Sequence, residues 1–256
     1  MKRLPRRLSY GEEATLVEHL GELRTRIVVV LIALIVGVSV AYAFHAHLLH
    51  WLEQVLPPER RKLATFGVAE PFITSMWLSI YAGVILALPV ILYQLWAFLA
   101  PAFDAHSQRV VVGLVGFASA LAALGIVFGR YVVLPAAVHF LTNYDQHLYT
   151  ILIRARDFIS FCVMVLLAVT VVFELPIFIL ALVRIGVLSS RKLRRNRRIG
   201  YAAMAVLAVA LPGVDPVTTT LEMIPLMVLY EGSIWLAVLL DQRSGVATSE
   251  PSTIQE

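Results

Sequence analysis

Carboxylates inside apolar stretches are the first residues of this chain whose type and position could do chemistry. Glu174 lies well inside a long apolar run, where an ionised carboxylate is costly unless it is protonated, paired or facing water. Pro176 removes a backbone donor just after it, so we expect a kink or a polar pocket there. Glu231 lies in another apolar run, nearer an aqueous boundary. The alternatives for these residues are an intramembrane binding site, a proton relay, or a glutamate that reaches the interface.

A second group of charges lies near the amino end. Glu22 precedes Arg26 by four residues, so on a helix their side chains share one face and can form an ion pair. Glu18, one turn earlier, would extend the acidic side. A solvated interfacial ion pair and a binding site for a cationic ligand both explain this pattern.

Other reactive side chains have simpler explanations. His45, His47 and His50 surround Trp51, but histidines and tryptophans are common at membrane interfaces, so we expect no metal. Cys162 is the only cysteine and lies in an apolar run, which excludes an intrachain disulfide and favours packing.

No nucleophile–base set, phosphate loop or zinc motif is visible in the sequence, so we expect binding and gating rather than catalysis, and no cofactor. The net charge is +4, and the basic residues flank apolar runs instead of alternating with aromatic ones. That distribution argues against nucleic-acid binding.

The elements that must position these residues are membrane helices. The chain is 59% hydrophobic and 15% charged, whereas soluble domains carry about 25% charged residues. Six apolar runs approach the length of roughly 20 residues that spans a bilayer. They cover residues 27–44, 72–100, 110–140, 158–183, 199–213 and 222–240, the fifth being short and the sixth interrupted by Pro225.

The basic residues also predict an orientation. With Met1 in the cytoplasm, fifteen of the 21 Lys and Arg residues fall on the cytoplasmic side, as the positive-inside rule requires. We therefore expect both termini inside, an all-α membrane domain over residues 1–241, and a disordered cytoplasmic tail over residues 242–256.

Several short strings spread over nearly the whole chain match one known pattern. They are His19-Leu20-Gly21-Glu22-Leu23-Arg24-Thr25-Arg26, Leu88-Pro89-Val90-Ile91-Leu92-Tyr93-Gln94-Leu95-Trp96-Ala97-Phe98-Leu99-Ala100-Pro101, Tyr131-Val132-Val133-Leu134-Pro135, Phe173-Glu174-Leu175-Pro176, and Asp215 with Ile224-Pro225 and Glu231. Together they resemble the TatC subunit of the twin-arginine protein translocase.

The resemblance implies a concave, glove-like bundle in the inner membrane that recognises twin-arginine signal peptides at its cytoplasmic face. It further implies homo- and hetero-oligomers with the single-span proteins TatA and TatB, surrounded by membrane lipids, and passage of folded proteins driven by the proton-motive force. The site residues it implies fall into three groups. These are a signal-peptide site (Glu18, Glu22, Arg24, Phe98, Asp104, Ser107), an intramembrane polar groove (Gln94, Glu174, Glu231) and a periplasmic turn at Asp215, where turn formation alone also explains an aspartate.

The chain departs from the family pattern at two positions. Ser107 stands where the family usually has a glutamate after a histidine, and Trp77 replaces a frequent lysine. Asp104 could supply the missing carboxylate if its loop is helical, or could simply cap a helix. Two further functions therefore stay open: a divergent paralogue with altered signal recognition, and a proton-coupled small-molecule transporter with Glu174 and Glu231 as the relay.

Overall fold

The computed structural model describes residues 16–99, 107–145, 147–148, 151–184, 187–212 and 215–243. Within these ranges the structure is helical, with no β-strand and one isolated parallel bridge between Ala64 and Arg154. The predicted all-α fold is confirmed. The α-helices of the described ranges are α1 Leu16–Ala43, α2 His45–Glu53, α3 Glu70–Leu99, α4 Ser107–Phe128, α5 Leu134–Asn143, α6 Ala155–Phe173, α7 Leu175–Arg184, α8 Ser190–Arg195, α9 Arg197–Ala210 and α10 Pro216–Arg243, with a 3-10 turn at Pro58–Arg60 and a π-helical turn at Gly129–Val133.

Five helical segments of the described ranges are long and apolar enough to cross a membrane, so the chain is a multi-pass membrane protein. They coincide with the first, second, third, fourth and sixth predicted runs. The fifth run, 199–213, corresponds to α9, whose 14 residues rise about 21 Å against a hydrocarbon core of about 30 Å. The sixth span therefore stays a prediction. The five segments are Leu20–Ala43, Glu70–Leu95, Gly113–Asn143, Ala155–Val183 and Pro216–Leu239.

Helix α1 packs along α3 in the antiparallel direction, and two glycines allow the close approach. A Cβ added at Gly37 would lie 2.6 Å from the Gly83 carbonyl oxygen, and one added at Gly83 would lie 2.6 Å from the Val38 nitrogen. Any larger residue would force the two backbones apart. The crossing of α1 and α3 therefore depends on the absence of these two side chains.

The centre of the bundle is α6, which packs against α3, α4 and the π-helical turn. Cys162 and Val165 of α6 are fully buried, together with Val133 and Leu134 where the turn passes into α5. Cys162 thus has the packing role expected for it. On another side of the bundle, α10 packs against α7 and α9.

Helix α10 corrects two expectations. The sequence predicts an interruption at Pro225, but the helix continues through it from Pro216 to Arg243. The adjacent Leu226 is fully buried against Val172 of α6 and Ala208 of α9, and packing on neighbouring helices makes a helical proline tolerable in a membrane. The helix also includes residues 242 and 243, which were assigned to the tail, whereas residues 244–256 lie outside the described residues.

Candidate functional site

The side chain of Arg26 joins the start of α1 to the end of α3. Its guanidinium donates to the Glu22 carboxylate from Nε at 3.1 Å and from Nη2. It also donates to the Gln94 side-chain oxygen at 3.1 Å and to the Ala97 carbonyl oxygen at 2.9 Å. We call these three acceptors, on Glu22, Gln94 and Ala97, the Arg26 cradle. The ion pair predicted from the spacing of Glu22 and Arg26 is confirmed.

The cradle forms because α3 ends beside the first turns of α1. The residue four positions after Ala97 is Pro101, which has no N–H, so the Ala97 carbonyl cannot receive the usual helical hydrogen bond from it. Such carbonyls form the negative end of the helix dipole and favour cations. With a carboxylate and an amide oxygen added from Glu22 and Gln94, the cradle is a set of acceptors that suits a planar guanidinium.

The Glu22 carboxylate keeps capacity for a further donor. Its side chain is 37% exposed, and both hydrogen bonds from Arg26 go to the same oxygen, Oε1. An ionised carboxylate offers two oxygens and about four acceptor positions. Arg24 is exposed on the same helix, and Phe98 is half-buried next to Ala97. This end of the molecule can therefore bind a second cationic group beside Arg26.

Three residues predicted for this site are not placed by the structure. Asp104 lies outside the described residues. Ser107 is the first residue of α4 and Glu18 lies in the first turn of α1, but the description does not extend to either side chain. The roles assigned to these three residues stay predictions.

Of the three residues predicted for an intramembrane groove, Gln94 and Glu231 have hydrogen-bond partners on other helices, and the shared groove with Glu174 stays a prediction. Gln94 belongs to the Arg26 cradle. Glu231 accepts a hydrogen bond from the Tyr201 hydroxyl and lies 3.5 Å from the Arg197 guanidinium. Because both partners are on α9, Glu231 ties α10 to α9. Partners this far apart along the chain give no local sequence signal.

Glu174 lies at a break between α6 and α7 and is only 2% exposed. Pro176 has no N–H to donate to the Val172 carbonyl four residues earlier, and the regular helix is interrupted at this point, between Phe173 and Leu175. Neither carboxylate oxygen has a hydrogen-bond partner among the described residues. Glu174 is thus a carboxyl group enclosed by packed helices, and not a glutamate that reaches an interface.

Two buried carboxyl groups lie at the start of α10, Asp215 with hydrogen-bond partners and Glu222 without any among the described residues. Asp215 is buried and caps the helix, since its carboxylate accepts from the Thr218 N–H at 2.8 Å and from the Thr218 hydroxyl. One turn after Thr218, Glu222 is 2% exposed, and its carboxylate oxygens have no partner in the described part of the chain. Glu222 is not among the residues predicted from the sequence, although its spacing from Asp215 and Thr218 along one helix face is a signal that indicates it.

At the opposite end of α3 a different arginine–glutamate pair joins the start of that helix to the residue before α6. Glu70 accepts from Arg154 at 2.7 and 3.2 Å, and from the backbone N–H groups of Phe66 and Gly67 at 3.0 and 3.2 Å. The Arg154 guanidinium also lies over the Phe66 ring. The hydrogen bond to Glu70 raises the pKa of Arg154 above its ordinary value. We call these four residues the Arg154 clamp.

A buried arginine lies in the π-helical turn. Arg130 is 5% exposed, donates to the Trp51 carbonyl oxygen at 2.7 Å, and has its guanidinium 4.9 Å from the Trp51 ring centroid. Cation–π contact and the hydrogen bond together hold α2 on the bundle. Near Trp51, His50 lies 3.9 Å from Glu53, and no group of three or more potential metal ligands occurs in the described ranges.

The part of the chain that matches known proteins includes both ends of α3 and the break at Glu174. The family model of the Sec-independent protein translocase protein TatC matches residues 18–225. The chain is 34% identical over 224 residues to the TatC protein of Carboxydothermus hydrogenoformans, covering 87% of this chain and 92% of that one. It is 34% identical over 228 residues to the TatC protein of Escherichia coli K12, covering 88% of each.

The fold has solved counterparts as well. A crystal structure of the twin-arginine translocase receptor TatC in DDM is similar to this chain with a TM-score of 0.75 and 32% identity, covering 86% of this chain and 99% of that one. A second crystal structure of the receptor gives a TM-score of 0.74 at 33% identity. Sequence and structure agree over most of the described residues, and the chain belongs to the TatC family of Sec-independent protein translocase proteins.

Proposed function

We propose that this protein is the receptor subunit of a twin-arginine translocase and that the Arg26 cradle is part of its signal-peptide site. The observation that carries the proposal is the half-exposed Glu22 carboxylate, held beside two further guanidinium acceptors. A twin-arginine peptide offers two guanidinium groups, and a carboxylate is their natural partner. Arg24 and Phe98 lie close to the cradle along their helices, and Asp104 supplies the second carboxylate where the family glutamate is replaced by Ser107.

The orientation belongs to the same proposal. The Arg26 cradle lies on the cytoplasmic side, both termini are inside, and α9 crosses as a short sixth span between the Arg197 and Asp215 ends. The support is the predicted excess of basic residues on that side. A membrane-impermeant thiol reagent added outside intact cells should not label a cysteine introduced at residue 2 or 243, and labelling of either position would reverse the orientation.

Within the translocase, TatA- and TatB-like single-span proteins are the partners, and the proton-motive force drives passage of folded proteins. The unpartnered carboxyl groups of Glu174 and Glu222 are the polar positions inside the bundle that such a partner helix or an inserted peptide would meet if the helices separate. Glu231 has a separate role, since Tyr201 and Arg197 already bind it. The transporter alternative, which needs Glu231 as a relay, therefore gains no support.

Binding of a labelled twin-arginine peptide to the full-length protein in nanodiscs tests the receptor role. Glu22→Ala and Asp104→Ala should each weaken binding by about 1.5–3 kcal/mol, the value of a hydrogen bond to a charged group. Ser107→Glu should strengthen binding or rescue Asp104→Ala. Glu59→Ala removes an exposed carboxylate from the 3-10 turn and is the matched control, with no effect expected.

The same titration separates the alternatives. A divergent paralogue that has lost signal recognition would show no measurable binding in the parent chain. Binding that is strong but indifferent to Glu22 and Asp104 would place recognition elsewhere and defeat the proposed site.

A further inference from the structure

The acceptors of the Arg26 cradle already bind a guanidinium, that of the protein's own Arg26. Arg26 makes four hydrogen bonds to the cradle, out of the five N–H donors that an arginine carries. Its side chain is 20% exposed. An incoming arginine would find the same acceptors occupied by the same chemical group. Only the outer part of the Glu22 carboxylate remains open to it.

We propose that Arg26 is an internal ligand, which occupies the cradle in the free receptor and is displaced by an arginine of the signal peptide. This inference rests on the proposed function, because it concerns regulation of the same site. The exchange replaces one guanidinium by another on Glu22, Gln94 and Ala97. It leaves no acceptor unpaired and changes no net charge within the cradle.

The attachment of Arg26 suits displacement. Its ion pair with Glu22 joins residues four apart on one helix, a type of pair that contributes little to stability. The packing of α1 on α3 depends on a different contact, between Gly37 and Gly83. Gly37 is eleven residues, about 16 Å, further along α1 than Arg26. The arginine side chain can therefore leave the cradle while the helix stays in place.

An internal ligand lowers the measured affinity in a predictable way. When a site is free for only a fraction of the time, the apparent dissociation constant rises by the inverse of that fraction. For an ion pair between residues four apart on one helix, Arg26 occupies the cradle about twice as often as it leaves it free, so removing this competitor should tighten peptide binding about threefold. A purely structural Arg26 would have the opposite effect, because its loss would misplace Glu22 and weaken binding.

The experiment measures binding of a fluorescent twin-arginine signal peptide to the full-length protein in nanodiscs. Arg26→Gln should bind the peptide about threefold tighter than the parent. Arg26→Lys should also bind tighter, because an ammonium keeps the charge but cannot reach acceptors on two helices as a planar fork does. In a Glu22→Ala background the gain from Arg26→Gln should be smaller, because only the Gln94 and Ala97 acceptors remain to be freed. Arg194→Gln, an exposed arginine of α8, is the matched control for loss of positive charge and should leave binding unchanged.

The outcomes distinguish this inference from the function on which it rests. Parent binding that depends on Glu22 but is unchanged or weakened in both Arg26 variants would overturn the internal-ligand role and leave the receptor role standing. Equal tightening in Arg194→Gln would reduce the effect to general electrostatics and overturn it as well. Failure of the parent and both Arg26 variants to bind would defeat both proposals. Binding by the Arg26 variants alone would support an internal ligand that blocks the site.

Discussion

Two arginine–glutamate pairs mark the two ends of α3, about 36 Å apart along the helix, and they differ in how completely the carboxylate is used. In the Arg154 clamp, Glu70 is 6% exposed and accepts four hydrogen bonds, two of them from backbone N–H groups. In the Arg26 cradle, Glu22 is 37% exposed and, among the residues that the structure describes, accepts only from Arg26.

The difference separates a structural ion pair from the pair that we propose as part of a binding site. The clamp joins residues 84 positions apart. It fixes the Phe66–Gly67 segment and the residue before α6 on the same carboxylate, that of Glu70. The Glu22–Arg26 pair joins residues on one helix turn and leaves acceptor capacity toward the surface. A buried carboxylate whose two oxygens are both bonded, such as Glu70, can only hold the fold, whereas a partly exposed carboxylate with an open oxygen, such as Glu22, can exchange its partner.

The largest loss of stability is expected for Glu70→Ala. The change removes the acceptor of four hydrogen bonds, two from the Arg154 guanidinium and two from the N–H groups of Phe66 and Gly67. Since Arg154 is 38% exposed and can be solvated, the loss comes chiefly from these bonds to the buried carboxylate. The apparent unfolding temperature should fall by several degrees. The buried Cys162 makes a thiol-reactive dye a reporter of unfolding, and Glu59→Ala is the control. An unchanged midpoint would show that the clamp is not structural.

A smaller loss is expected for Gly83→Ala, which disturbs the helix pair between the two sites without touching either one. The new Cβ would lie 2.6 Å from the Val38 nitrogen, and overpacking of this kind costs about 1–3 kcal/mol. Gly113→Ala is the matched control, since a Cβ there meets nothing within 4 Å. Equal midpoints for the two variants in the dye assay would contradict the close crossing.

The enclosed carboxyl groups without partners should respond in the opposite direction to Glu70. Glu174→Leu and Glu222→Leu each replace an unpaired buried polar group by an apolar one, which should raise stability by about 1 kcal/mol. Both should weaken transport of a twin-arginine substrate if the proposed role in the bundle is right. A fall in the unfolding midpoint, or full transport activity, would reverse this assignment.

The smallest change in stability is expected for Glu22→Ala. An exposed pair within one helix contributes about 0.3–0.5 kcal/mol, so the dye assay should show a midpoint close to that of the parent. The same variant should lose peptide binding. A destabilisation as large as that of Glu70→Ala would place both pairs in the structural class and remove the contrast between them.

Local patterns were the part of this structure that the sequence predicted well. The apolar runs located five long helices, Pro176 located the break at Glu174, and the spacing of Glu22 and Arg26 predicted their ion pair. Each of these depends on residues within one or two helix turns, where periodicity and backbone chemistry decide the outcome.

Contacts between distant residues were not predictable in the same way. Gln94 was grouped with Glu174, but its partner Arg26 is 68 residues away. The clamp and the Tyr201–Glu231 hydrogen bond join different helices. The sequence predicts that Pro225 interrupts α10, but the helix continues through it. The effect of a proline in a membrane helix depends on the helices that pack against it, which the local sequence does not show. Asp104 and the Ser107 side chain, the departure that matters most for recognition, lie outside the described residues.

The position of α1 has a consequence for the order of membrane insertion. Its apolar span is only 6% buried in the bundle, and its main partner is α3, which is synthesised later. An apolar helix can be stable in lipid on its own before it associates with others. We therefore expect α1 to enter the bilayer first and to remain a separate lipid-exposed helix until α3 brings Gly83 against Gly37. The Arg26 cradle, made from both helices, would be completed at that same step of biogenesis.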